Sequence, residues 1–509
     1  MSRKLALRWL TVLLALGLLA SACGGRDDDE GTTNTDSTDQ SDDADDSAGD
    51  GDGDDAGDSD AGDDADAGDG DGDGDAAGGD DDSEEPEEPV DPCANVTLEA
   101  TEIGVSEDTI KVIVMADVDS PLAPGLFQGA VDGAEAWADK VNADGGLACR
   151  EVDVEFHDSK LTPATTVEGF LKACESALAL VGTTVLFALD TEDLNSCADQ
   201  AGDPTGVPDI GYITTEVAHQ CSENSFLLSR PGAACPYTGG DRDYSAVVGP
   251  MSVLSDILGT EFNGLFLIPG DLPSTVASAV PQIEAQEEIG ITWDGRLSVS
   301  GAATQAEFGP FVTLMRDNDS NYVYNGSNDQ AMLKMKREAA LQGIDTDAVT
   351  WLCTLSCYTP AFIEEGGEDA EGVYVWSFFV PFEEADTNEQ LSIFMDNIGT
   401  DFPQAWAAGA WIDGLLFEQA VNAIVDRDGP NGITRASLLD ELGGVTTFDA
   451  DGWWSTTDFT TTNSIGSCFM VMQVQNGEYV RVHPEERGTL DCSIDALAVT
   501  ANPDEFAPD

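Results

Sequence analysis

From residue 109 onward the apolar residues switch repeatedly between two rhythms. Thr109–Ala116 is a β-branched, apolar run of strand length, followed by a polar turn through Asp117, Asp119, Ser120 and Pro121. Phe127, Ala130, Val131, Ala134, Ala138 and Val141 then recur at the spacing of one helix face until Gly145-Gly146 ends the run. The pattern goes on to predict strands near 152–156, 177–181 and 208–213, with helices over Pro163–Ser176 and 192–201. A second series begins at Asn263. It predicts strands near 264–268, 296–299, 322–324, 349–352 and 372–377, separated by helices near 274–288, 305–316 and 329–342. Strands alternating with helices form parallel sheets covered on both faces, so two consecutive series predict an α/β protein with two doubly wound sheets.

The first 92 residues have neither rhythm. Arg3, Lys4 and Arg8 precede an apolar run from Trp9 to Leu19 and the small residues Ala20, Ser21 and Ala22, which is the order of an export signal and its cleavage site. The run is shorter than the roughly 20 residues that span a bilayer, so residues 1–22 are read as a signal peptide rather than a transmembrane helix. Ala20-Ser21-Ala22-Cys23 resembles the lipobox of bacterial lipoproteins. That resemblance implies that Cys23 is acylated, becomes the mature N-terminus and holds the protein to the outer face of the cell membrane. The alternative is an ordinary secretory signal that leaves Cys23 in the segment that follows. Residues 24–92 are almost wholly Asp, Gly, Ala, Ser, Thr and Glu, without an aromatic or large aliphatic residue before Val90. Such a segment cannot bury enough apolar surface to fold, and its like charges extend it, so 23–92 is expected to be a disordered acidic linker. Asp69, Asp71, Asp73, Gly74 and Asp80 imitate a calcium-binding loop, but an Asp-Gly repeat produces that spacing by chance.

Charge narrows the partners. Of the 99 acidic residues, 31 lie in 27–91, and 4 of the 20 basic residues precede them, which leaves the folded part with 68 acids against 16 bases. A surface of that balance repels nucleic acid and anionic lipid, so neither is assigned as a partner and membrane contact is left to the lipid anchor. Ten cysteines follow Cys23, an even set that predicts five disulfides in an exported chain. Proximity in sequence pairs Cys353 with Cys357 and Cys468 with Cys492. Cys149 and Cys174 both fall on the amino edge of the predicted first sheet, within bridging reach of each other. Cys93, Cys197, Cys221 and Cys235 allow three pairings, with Cys221 to Cys235 preferred. His157, His219 and His483 are too scattered to form a zinc set with these thiols, so no metal or cofactor is predicted.

Several short segments then gain meaning from their order. Ile110-Lys111-Val112-Ile113-Val114, Ser120-Pro121-Leu122-Ala123, Gly129-Ala130 and Val141-Asn142-Ala143-Asp144-Gly145-Gly146 resemble the opening of type I periplasmic binding proteins. Within that family the nearest likeness is to the branched-chain amino acid binding proteins of ABC importers. Pro163-Ala164, Leu180-Val181-Gly182, Gly206-Val207-Pro208, Ala370-Glu371-Gly372-Val373-Tyr374, the helix near 405–424 and Gln473-Val474-Gln475-Asn476-Gly477-Glu478-Tyr479 continue the likeness in order. It implies two lobes joined by three crossings, lobe one about 104–230 with 383–450 and lobe two about 240–378 with 455–484, leaving 485–509 as a C-terminal tail. It also implies a monomer that closes on a small polar ligand, an amino acid or a related carboxylate or amide, and hands it to an ABC permease and ATPase.

The family's site carries over position by position. Thr214 and Thr215 stand in the loop after the fourth strand, where the family grips its ligand, and capping the next helix is their structural alternative. Ser120 lies in the first loop. In the loop after the third strand, either Thr183 and Thr184 or Asp190 and Thr191 take the place of a serine-rich turn, with Asp190 an alternative N-cap. From lobe two come Asn325, Asn328, Asp329 and Tyr358. The segment Cys353-Thr354-Leu355-Ser356-Cys357-Tyr358 has no acid where the family holds the substrate ammonium. A buried ammonium without a carboxylate is costly, so a branched-chain amino acid requires Asp329 to supply one. Trp453 and Trp454 either roof the cleft or pack a hinge.

An exported hydrolase is the competing class. No Gly-x-Ser-x-Gly elbow occurs, and none of the three histidines shares a motif with a nucleophile, so no catalytic residue is assigned. A lipid-anchored sensor on the same fold, feeding a receptor, remains the alternative to an importer subunit. The anchor is directly testable. At about 0.8 kcal/mol for each buried CH₂, two acyl chains on Cys23 give stable attachment, so Cys23→Ser should release the protein or block its processing. A variant that still fractionates with membranes while mass spectrometry finds no lipid would show that Cys23 is not the anchor.

Overall fold

A computed structural model describes residues 93, 96–120, 123–236, 239–271, 273–461 and 465–509. The segments expected to be a signal peptide and an acidic linker, with Cys23 between them, lie outside these residues. Ile110, Val112, Ile113 and Val114 are fully buried in strand β1 (Thr109–Ala116), as suits a central strand of a parallel sheet. With β2 (Glu151–Asp158), β3 (Ala179–Thr184), β4 (Asp209–Ile213) and β5 (Ser225–Ser229) it makes a five-stranded parallel sheet in the order β2-β1-β3-β4-β5. The order reverses between β1 and β3, the switch point where an open α/β sheet leaves a crevice at its carboxyl ends.

The second sheet is larger. After β6 (Arg242–Ala246) come β7 (Asn263–Pro269), β8 (Thr292–Val299), β9 (Tyr322–Asn325), β10 (Thr350–Cys353), β11 (Tyr374–Ser377), β12 (Met470–Gln475) and β13 (Glu478–His483). They pair in the order β13-β12-β11-β10-β9-β7-β8. Strands β7 to β11 are parallel, while β12 and β13 add an antiparallel hairpin to one edge. Its turn places Asn476 and Gly477 both at positive φ, as a two-residue hairpin loop needs.

The chain passes between the sheets three times. It leaves the first sheet after β5, builds β7 to β11, returns to lay the helix Ala405–Asp428 on the first sheet, and crosses back to form β12 and β13. That helix is mostly buried and packs against the helix Gln128–Ala143 as well as β3 and β4. Two glycines allow the approach: a Cβ on Gly133 would collide with the Ala407 carbonyl, and one on Gly414 with the Trp137 ring.

The second and third crossings run side by side. Val380 N donates to Trp453 O at 2.9 Å and Ser455 N to Phe378 O at 2.7 Å, while Trp453 Nε1 donates to Val380 O at 3.1 Å. Trp454 stacks on Phe379 with ring centroids 6.0 Å apart. The adjacent tryptophans therefore pack the crossings and do not roof a cleft. Just after the second crossing, the buried carboxylate of Glu384 accepts two bonds of 2.6 Å from the guanidinium of Arg481 on β13.

Local differences from the sequence reading have local causes. The helix expected over 192–201 stops at Ser196, because Cys197 is extended and bonded to Cys174. Residues 485–509, read as a tail, contain β14 (Leu497–Ala501) paired antiparallel with β6, and end with the Asp509 carboxylate at Arg296. The helix Gly249–Leu258 had no counterpart in the pattern.

Three disulfides join the expected partners, Cys221–Cys235, Cys353–Cys357 and Cys468–Cys492. The pair Cys149 with Cys174 does not form. Cys149 sits at φ 66 in the turn before β2 and bonds Cys93. Next to it, the buried Arg150 guanidinium donates to Glu99 O and to Asn431 Oδ1, which draws the N-terminal segment to that turn. Non-reducing peptide mapping should recover Cys93 linked to Cys149 and Cys174 linked to Cys197; a Cys149–Cys174 peptide would contradict the arrangement.

Candidate functional site

The carboxyl end of β1 carries Asp117, which is fully buried. Its carboxylate accepts Leu161 N at 2.7 Å and Leu186 N at 2.9 Å, from the loops that follow β2 and β3. Burial raises its pKa, and the two amides with Ser159 pull it back down. Lys160 and Leu161 both sit at φ 54, a conformation costing on the order of 1–3 kcal/mol for side chains of this kind. A charge-assisted bond to Leu161 N, worth about 1.5–3 kcal/mol, offsets that strain and fixes the loop.

Leu161 and Leu186 line a cavity of about 420 Å³ between the carboxyl ends of the two sheets. From the first sheet's side it is lined by Leu126, Phe127, Tyr212, Trp406 and these two leucines. Phe127 and Tyr212 meet the Trp406 ring edge-on, with centroids 5.1 and 5.6 Å away. From the second sheet come Phe266, Tyr324, Leu355, Trp376 and Phe378. Polar groups gather at the strand ends: Thr214, Thr215, Ser229 and Arg230 on one side, Ser327, Asn328, Thr354 and Ser356 on the other. This is the composition of a small-molecule site, largely apolar with a few placed polar groups.

Of the residues proposed from sequence, Thr214, Thr215 and Asn328 line this cavity. Thr214 Oγ1 accepts Glu216 N at 3.0 Å, and Thr215 Oγ1 donates to Leu186 O at 3.2 Å and lies 3.3 Å from Ser274 Oγ. Neither hydroxyl caps the short helix Val217–Gln220. Asn328 also caps the helix Asp329–Leu341 by accepting Ala331 N.

The others are elsewhere. Ser120 is buried and does not line the cavity, and Thr184 is buried with its hydroxyl given to Gly182 O. Thr191 accepts from Asn195 one turn along its own helix, away from the cavity. Asn325 is buried and donates to Asn328 O and Cys353 Sγ. Asp329 lies behind the rim, its Oδ1 accepting Gln330 N and its pKa raised by burial. Tyr358 is fully buried in the aromatic packing beneath the crossings, donating to Glu383 Oε2 at 2.6 Å. In the same loop, Thr354, Leu355 and Ser356 do reach the cavity, presented by the short Cys353–Cys357 loop.

The sequence reading missed Arg230 and the aromatic lining. Arg230 immediately follows β5, and Thr214 N donates to Ser229 O at 3.2 Å, so Arg230 and Thr214 leave adjacent strands together. Burial lowers the guanidinium's pKa to about 10, against the pull of Asp458, which leaves it charged at neutral pH. A basic residue two positions after the apolar run Phe226-Leu227-Leu228, in so acidic a chain, was the available signal.

Residues 109–478 match the sequence profile of the family described as periplasmic binding proteins. No curated protein gives a significant sequence match. Among solved structures, a leucine binding protein LivK from Thermotoga maritima is 15% identical, with 78% of this chain and 100% of that chain covered at a TM-score of 0.55. A fatty acid ABC transporter substrate-binding protein from Thermomonospora curvata is 14% identical, covering 76% and 97% at 0.56. A branched-chain amino acid transporter substrate binding protein LivJ from Streptococcus pneumoniae, solved in complex with isoleucine, is 16% identical, covering 74% and 100% at 0.55. At these identities the likeness is one of fold.

Removing the group that holds the first-sheet rim should be costly. Asp117→Ala strands two backbone amides and releases a left-handed loop, so denaturant unfolding should show a loss of about 2 kcal/mol or more. A change within about 0.5 kcal/mol would mean that Asp117 does not hold the rim.

Proposed function

The chain belongs to the periplasmic binding protein family, and from that premise we propose that it is an extracytoplasmic solute-binding lipoprotein serving an ABC importer. It captures a small molecule carrying a carboxylate or amide, amino acid-like in size, between lobe one (104–230 with 383–450) and lobe two (240–378 with 455–484). The observation that carries the proposal is the cavity at the facing carboxyl ends of the two sheets, with hydroxyls supplied by both and the Asn328 amide by the second. A ligand held by both lobes binds the closed arrangement better than the open one, and that differential affinity is what shifts the population toward closure. Closure then presents a changed surface to the permease, whose ATPase drives uptake. In this reading Cys23 carries the lipid, the acidic linker sets the reach of a monomeric body from the membrane, and no catalytic group or cofactor takes part.

The neighbours' ligands differ, a leucine binding protein beside a fatty acid transporter's subunit, so the fold by itself does not select one. Native mass spectrometry of the gently purified protein should find a retained small molecule. Calorimetry with that molecule should show Thr215→Ala weakening affinity about ten- to a hundredfold, the worth of a hydrogen bond to a charged or strongly polar group. An unchanged affinity together with a lowered Tm would make Thr215 a structural bridge between Leu186 and Ser274.

A further inference from the structure

The lining of the cavity narrows the ligand beyond the proposed binding function, on which this inference rests. Among the described lining residues the only cation is Arg230 and the only anion is Asp271. The two are placed differently. Arg230 sits half-buried at the end of β5, beside Thr214 and Thr215, and its Nη2 donates to the Asp458 carbonyl oxygen at 3.1 Å. The Asp458 carboxylate itself turns to Thr460, accepting from its amide at 2.9 Å and its hydroxyl at 2.6 Å. Asp271 is exposed at the rim, and its Oδ2 accepts Gly301 N at 2.6 Å and Ser300 Oγ at 3.2 Å. Asp329, the other acid considered for an ammonium, does not line the cavity.

An ammonium group drawn into this cleft would therefore lose its hydration without meeting a buried carboxylate, and an unpaired buried charge is strongly unfavourable. A carboxylate faces the reverse situation, because a guanidinium offers planar, charge-assisted donors and Thr214 and Thr215 stand on the neighbouring strand end. The remaining wall is apolar and aromatic from both sheets, and its volume of about 420 Å³ would leave most of a purely polar ligand without partners. We infer that the ligand is a monocarboxylate with an apolar body, its carboxylate beside Arg230 and its body between Phe127 and Trp406 on one side and Phe266 and Trp376 on the other. The shared chemistry covers aliphatic and arylalkyl acids.

Calorimetry on the full mature protein with four probes tests this: octanoate, 3-phenylpropanoate, octanamide and L-leucine. At least one of the two acids should bind about ten- to a hundredfold more tightly than octanamide and more tightly than L-leucine, the worth of a hydrogen bond to a charged group. The better of the two identifies the body as aliphatic or aromatic. Arg230→Gln should collapse the acid-over-amide ratio toward one, whereas a merely structural arginine would weaken all probes alike and keep the ratio. If that variant does not fold, the acid-to-amide ratio of the unaltered protein decides. L-leucine binding more tightly than both acids would overturn the inference and leave the solute-binding reading standing. Failure of all four probes, with no retained molecule in the native mass spectrum, would overturn both.

Discussion

The carboxylate of Asp117 ties the first sheet to the cleft. It stands at the end of the interior strand β1, on the switch point, and its two oxygens take the amides of Leu161 and Leu186 from loops that diverge to opposite sides of β1. A buried acid is expensive to keep charged, as its raised pKa records, and it persists because those amides have no other way to be satisfied inside the protein. The same two bonds hold Leu161 in a left-handed conformation and set both leucines into the cavity wall. Position on the sheet, loop conformation and lining thus follow from one group.

The aromatic wall depends on a second constraint, the closeness of two helices. The helices Gln128–Ala143 and Ala405–Asp428 pack together through glycines that leave no room for a side chain. Phe127 and Trp406 stand at the starts of those helices, so close packing further along brings their rings together at the mouth of the first sheet. Polar groups come from strand ends and apolar ones mostly from helix starts and the second sheet. A ligand that spans the cleft meets both kinds of surface.

The elements that the sequence revealed carry their own signals. The helix Pro163–Ser176 has Pro at its first position and Thr162 ahead of it, which accepts Thr165 N as an N-cap should. Strand β1 is apolar where it is buried, at Ile110 and from Val112 to Ala116, and carries its polar residues Thr109 and Lys111 where it is not. By contrast β6 and β14 are short, partly polar and lie at opposite ends of the fold's second half, so nothing local marks them as partners. The site shows the same division. Thr214 and Thr215 were legible because a strand end is legible, whereas Tyr358 looked like a cleft residue until the crossings buried it against Phe382 and Tyr479. Trp406 and Phe127 lie far apart in sequence and become neighbours only through helix packing, which no local pattern encodes.

The five disulfides have a connectivity whose meaning is temporal. Taken in order along the described chain, each cysteine is bonded to the next: Cys93–Cys149, Cys174–Cys197, Cys221–Cys235, Cys353–Cys357 and Cys468–Cys492. No loop encloses or interleaves with another. For a chain that enters an oxidising compartment from its N-terminus, each of these ten thiols meets its native partner before a competitor among the ten has emerged, so simple oxidation in order of arrival gives the native set without exchange among mispaired intermediates of these ten. Such a chain needs an oxidant on the far side of the membrane but has little use for an isomerase.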